Sequence, residues 1–168
     1  MRRRIVFGFV LIAASVSVAI ATPAGAATTR SVKGKVQGST SANIGSPVHG
    51  VSDGALMARH FGRGTYHFEF TGVFNGSTFD LSGPLTFTAA NGNVLSGTLS
   101  GTAGNLSPSI GSTAPFDLVL TVTGGTGRFA AATGELHLTG TVTVTSIDFT
   151  NQTFTASDTG KVTGFVTY

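Results

Sequence analysis

The sequence predicts an all-β protein, an eight-stranded antiparallel β-barrel preceded by a signal peptide. Three observations carry that expectation. Apolar residues alternate with Thr, Ser and charged residues along most of the chain, turn dipeptides containing Gly separate the alternating runs, and glycines recur on the apolar parity inside them. No helical periodicity competes with this pattern. With 168 residues, 40% hydrophobic and 10% charged, the composition suits one packed core and excludes a disordered polymer or a coiled coil.

The amino terminus is of a different kind. Arg2, Arg3 and Arg4 precede an uninterrupted apolar or small run from Ile5 to Ala21, and Thr22-Pro23 then leads into Ala24-Gly25-Ala26. A basic start, an apolar stretch and a small-x-small end are the parts of a secretory signal peptide of bacterial type. Residues 1–26 are therefore expected to be cleaved after Ala26, and residues 27–168 to form a single secreted domain. The apolar run is short for a membrane span and is followed by Pro23, so no membrane association is expected after cleavage. The formal charge of +3 also belongs to this segment. Residues 27–168 carry seven basic and seven acidic side chains. Without net positive charge or a dense basic stripe, a nucleic-acid partner is excluded. The absence of Cys means that the exported fold rests on packing alone.

Strands are expected at about 31–37, 65–74, 78–88, 94–102, 116–123, 134–145, 147–155 and 161–168, where alternation coincides with β-branched or aromatic residues. Asn75-Gly76, Asn91-Gly92 and Gly124-Gly125 have the chemistry of tight connections. Two longer stretches, 38–64 and 103–115, read as irregular, and connections of that length either bind something or cover it.

One parity is nearly pure apolar: Tyr66, Phe68 and Phe70; Phe79, Leu81, Leu85 and Phe87; Phe116, Leu118, Leu120 and Val122; Leu136, Leu138, Val142 and Val144. The other is mostly Thr, Ser and charge, with His67 and Glu69, or His137 and Glu135, expected as outward surface pairs. Eight antiparallel strands with one dry face bury it in a barrel or a two-sheet sandwich. The barrel is favoured by six glycines on the dry parity, each flanked two residues away by apolar groups: Gly34, Gly72, Gly83, Gly97, Gly140 and Gly164. Such glycines either let the sheet coil tightly enough to close, or hollow out a lumen for a small ligand.

The segment Gly124-Gly125-Thr126-Gly127-Arg128-Phe129-Ala130-Ala131-Ala132-Thr133-Gly134 resembles the GGTG-(K/R)-F-x-x-A-x-G signature of plant dirigent proteins and related members of the allene oxide cyclase barrel superfamily. His60-Phe61-Gly62-Arg63-Gly64-Thr65 and Phe87-Thr88-Ala89-Ala90-Asn91-Gly92-Asn93 are similar to segments of secreted bacterial proteins described as allene oxide cyclase barrel-like. The resemblance covers roughly residues 48–168. It implies an eight-stranded barrel with an apolar lumen, in a superfamily whose plant members are often trimers and guide cyclisation or radical coupling of small apolar or phenolic compounds without a cofactor. It leaves homo-oligomers, dimer or trimer, open. The lack of Cys departs from the cyclases and from disulfide-bearing dirigents.

Gly124, Gly125, Gly127, Phe129 and Gly134 read as a structural motif, since a phosphate-cradling loop would need a following helix and a Lys-Ser/Thr pair. No nucleophile elbow or metal-spaced His set occurs, so no metal and no cofactor are expected and any catalytic residue is unknown. The polar candidates for a ligand site are Arg59, His60 and Arg63, with Tyr66 just beyond, clustered at a barrel mouth to orient a carboxylate or phenolate; Phe68, Phe87, Gly97 and Gly140 would line the lumen. Asp80, Asp117 and Tyr168 are weaker candidates. Three functions follow. The first is a secreted barrel binding a small apolar or phenolic ligand; the second is a cofactor-free cyclase, isomerase or dirigent-type stereochemical guide. The third is an extracellular structural or interaction barrel with a filled lumen and an apolar outer patch around Phe165 or Val119.

Overall fold

A computed structural model describes residues 27–168; the expected signal peptide lies outside the described residues. Eight strands run β1 (Thr29–Asn43), β2 (Val48–Ala58), β3 (Gly62–Phe74), β4 (Thr78–Ala89), β5 (Val94–Gly104), β6 (Thr113–Gly125), β7 (Thr133–Asp148) and β8 (Thr153–Thr167), with a 3-10 turn at Gly127–Phe129. Each pairs antiparallel with its sequence neighbour, and β1 pairs with β8 from Thr29 opposite Thr167 to Asn43 opposite Thr153, closing the barrel. Closure satisfies the two edges that an open sheet would expose.

Period-two alternation explains which side is dry. On β3, Tyr66 and Phe68 are buried while His67 and Glu69 are exposed; Leu85 and Phe87 on β4, Leu118, Leu120 and Val122 on β6, and Leu136, Val142 and Val144 on β7 are likewise buried. The outer parity carries Thr139, Thr141, Thr143 and their like.

Two features depart from the expected strand map. The stretch 38–64, read as irregular, forms the upper half of β1, all of β2 and the start of β3. The expected strands at 147–155 and 161–168 are instead the end of β7, a turn at 149–152, and one unbroken β8. In both places Gly38, Thr40, Gly50, Ser52, Gly54, Asp158 and Gly160 interrupt the large apolar residues on the inward parity, so the beat that marks a strand is weakened. The count of eight is right although one strand was unforeseen and two expected ones divide differently.

The dry-parity glycines do not open a lumen at Gly97 or Gly140. A Cβ on Gly140 would lie 2.2 Å from the Thr159 carbonyl oxygen and 2.6 Å from Phe116 Cζ; one on Gly97 would lie 2.4 Å from the Thr121 carbonyl oxygen. Neighbouring backbone occupies the missing side chain's place, which is the close approach a tightly coiled sheet requires.

The barrel's two ends differ. One is plugged by aromatics: Phe61 stacks on Phe87 at 5.5 Å, Phe129 meets Phe61 edge-on at 5.6 Å, and Tyr168 meets Phe129 edge-on at 5.1 Å. Arg128 lies over the Phe129 ring at 4.6 Å and donates to the Phe61 carbonyl at 3.1 Å. The glycine-rich segment builds this plug. Gly127 takes φ +55° where a Cβ would strike Asn93, Gly125 passes so close to Val94 that no Cβ fits, and Gly124 and Gly134 bracket the segment that inserts the fully buried Phe129.

Because backbone cannot yield at Gly140 as a flexible side chain could, Gly140→Ala is expected to lower unfolding stability by about 1–3 kcal/mol. Urea titration of circular dichroism measures this, with Thr141→Ala on the outer face as the near-neutral control.

Candidate functional site

The other end, formed by the β1–β2, β3–β4, β5–β6 and β7–β8 connections, is not plugged. A cavity of about 260 Å³ runs from there into the barrel. Its wall is largely apolar, with Val36, Phe68, Phe70, Phe79, Leu81, Leu85, Leu99, Phe116, Leu118 and Leu138 contributing, and Asn43–Gly45 and Leu106–Pro108 lie along its upper part. Phe68 and Phe70 stack at 5.2 Å.

One polar constellation interrupts this wall. Asp158 of β8 is 6% exposed and accepts three hydroxyl hydrogen bonds: Thr40 of β1 and Ser52 of β2 donate to Oδ1, each at 3.3 Å, and Tyr66 of β3 donates a short bond to Oδ2. Ser52 Oγ also lies 3.2 Å from the Tyr66 hydroxyl. All four sit on inward parity, and the register brings them together: Thr40 faces Ser52 across β1–β2, and Gly38, two residues from Thr40 on the same face, stands opposite Asp158 across β1–β8. Gly38 and Gly54 leave the gap that the Tyr66 ring crosses, since a Cβ on either would touch that ring or its hydroxyl. Burial first, and the hydrogen bond to Asp158 second, hold the Tyr66 phenol well above its ordinary value of 10.0. Among the described residues no buried side-chain polar atom lacks a partner.

The sequence-derived candidates divide between the two ends. Tyr66 and Phe68 line the cavity. Arg59, His60 and Arg63 do not reach it: they belong to the β2–β3 connection and the start of β3 at the plugged end, where Phe61 seals the interior, and Arg63 is exposed on outward parity. The expected mouth cluster is thus at the closed end. Phe87 is part of the plug's packing, 1% exposed, and Gly97 and Gly140 face neighbouring backbone. Asp80 and Asp117 are exposed outward, Asp80 accepting from Asn75 at 2.9 Å, and Tyr168 closes the plug. Sequence reasoning missed Thr40, Ser52 and Asp158; the signal that could have found them is the continuation of inward parity through 38–58 and 156–160.

On the outer wall, His67 Nδ1 lies 2.7 Å from Asp53 and Nε2 3.2 Å from Glu69, both exposed contacts; the Asp53 hydrogen bond first and that of Glu69 second raise the imidazole above its ordinary value. His137 and Glu135 pair at 3.1 Å. These are surface cross-strand contacts. No group of three metal-ligating side chains occurs among the described residues.

The raised Tyr66 value gives stability a definite pH dependence. An unfolded phenol ionises near 10 and the folded one higher, so its contribution is complete below pH 10 and is lost as pH climbs towards the native value. Tyr66→Phe is expected to flatten the alkaline arm of the stability–pH curve relative to wild type, while costing about 1–3 kcal/mol near neutrality because Asp158 loses a donor. Urea midpoints across the alkaline range check both effects.

Against this geometry, no family model, curated protein or solved structure matches the chain.

Proposed function

We propose that the chain is a secreted barrel that holds a small apolar or phenolic ligand in its lumen, in the manner the allene oxide cyclase barrel-like resemblance implies. The observation that carries this reading is the apolar cavity of about 260 Å³ with a single polar constellation. Ligand sites pair an apolar wall with a few convergent polar groups, and a dry cavity of about 150 Å³ already suffices for benzene in another protein. A bicyclic aromatic or a compact terpenoid skeleton matches the larger space. A filled-lumen structural barrel would have no need of it. The outward Thr and Ser coat over an apolar interior is the inverse of a transmembrane barrel, which turns its apolar face outward, and this supports a freely diffusing exported protein.

The second reading, a cofactor-free cyclase, isomerase or stereochemical guide, is favoured by one observation. Tyr66 and Asp158 form a buried donor–acceptor pair in the cavity wall, the type of pair that can hold or pass a proton next to a bound substrate.

Titration with an uncharged fluorescent naphthylamine-type probe is expected to give saturable binding of about one equivalent. Val48→Trp, at the half-exposed rim of the cavity, should weaken it by about tenfold or more, equivalent to roughly 1.4 kcal/mol. Absence of saturation in the wild type would remove the binding reading. For export, terminal sequencing of protein recovered from the medium of an expressing bacterium should begin at Ala27.

A further inference from the structure

The cavity contains a carboxylate and no cation to match it. Among the described residues lining it, Asp158 is the one charged side chain; no Lys, Arg or His shares the wall. Its three partners are all neutral hydroxyls. A carboxylate offers about four acceptor positions, so one remains for a further donor. A desolvated anion held by neutral groups attracts a cation far more strongly than water-exposed anions do, because the surrounding wall screens so little. The rings of Tyr66, Phe68, Phe70 and Phe116 line the same space, and aromatic faces favour a cation beside them.

The outside of the barrel repeats the bias. The charged residues nearest the open end on the outer face are Asp80 and Asp148, followed by Asp117, Glu69 and Asp53. Arg30, Lys33, Arg59, Arg63 and Arg128 lie towards the plugged end, where Glu135 is the one acid among the described residues, and Lys35 and Lys161 face each other at mid-barrel. An approaching cation meets attraction at the opening, and an anion meets repulsion.

We propose that the lumen selects a protonated amine with a compact apolar body, its ammonium donating to Asp158 and its hydrocarbon part against the aromatic wall. This rests on the lumen-binding reading above and fixes its ligand class. It reverses the charge preference that Arg59, His60 and Arg63 would have conferred at a mouth.

Four probes with one skeleton test it by calorimetry on the protein spanning residues 27–168: methylnaphthalene, naphthylmethanol, naphthylmethylamine and naphthoate, near neutral pH. The amine is expected to bind at least about tenfold tighter than the alcohol, as a charge-assisted hydrogen bond exceeds a neutral one, and naphthoate weakest of all. Asp158→Asn should abolish the amine's advantage while methylnaphthalene still binds. Thr40→Val, which keeps the carboxylate, should retain it, so the preference is traced to charge even if the Asp158 variant does not fold. Equal or weaker binding of the amine than of the alcohol, with methylnaphthalene bound, overturns the amine assignment and leaves the lumen reading standing. Failure of all four probes overturns both.

Discussion

The ladder between the first and last strands is the constraint on which the rest depends. Fifteen consecutive positions of β1 face β8, and without that seam the sheet would have one dry face and nothing to lay it against. With the seam, the dry face becomes an interior, and every residue's parity decides whether it meets water or the lumen. Backbone crowding at Gly140 and Gly97 is the local condition of that curvature, and it explains why glycine stands at inward positions where the interior has no void.

Within the closed wall, the residues divide the interior along its length. At the end where β1 begins and β8 finishes, Phe61, Phe87, Phe129 and Tyr168 fill the cross-section, fastened by Arg128. Towards the open end, Gly38, Thr40, Gly50, Ser52 and Gly54 replace large side chains on the adjoining halves of β1 and β2, and the space they leave admits Tyr66 and the cavity beside it. Packing and polarity are thus coupled. The small polar residues that make room also supply the hydroxyls that make a buried Asp158 tolerable, since a carboxylate in an apolar wall persists only when its lone pairs are met.

How much of this was legible follows from the same coupling. The inward faces of β3, β4, β6 and β7 could be read directly, because large apolar residues such as Tyr66, Phe68, Phe70, Phe87, Leu118, Leu120, Leu136 and Val142 share one parity, interrupted there at glycines such as Gly72, Gly83 and Gly140. That the segment around Phe129 is structural rather than phosphate-binding could be read from the lack of a following helix and of a Lys-Ser/Thr pair; that it plugs one end could not. The polar constellation could not, save for Tyr66. Thr40 and Ser52 lie in a stretch poor in large apolar groups that looked irregular, and Asp158 in Ala-Ser-Asp-Thr-Gly, which looked like a break between two strands. A hydrophobic pattern goes silent where a protein builds a polar site into its interior, so such gaps inside otherwise regular stretches are where sites should be sought. The Arg59, His60 and Arg63 cluster drew attention for the opposite reason: its charges are conspicuous, yet strand parity and the Phe61 seal keep them outside.

The aromatic plug gives the vessel a single throat. On the lumen-binding reading proposed above, water leaving and a guest entering would share that passage, so filling and emptying would be one exchange event rather than a flow from end to end. The Asn43–Gly45 and Leu106–Pro108 segments border that passage, so on the same reading substitutions there would change the rate of exchange without altering the chamber itself.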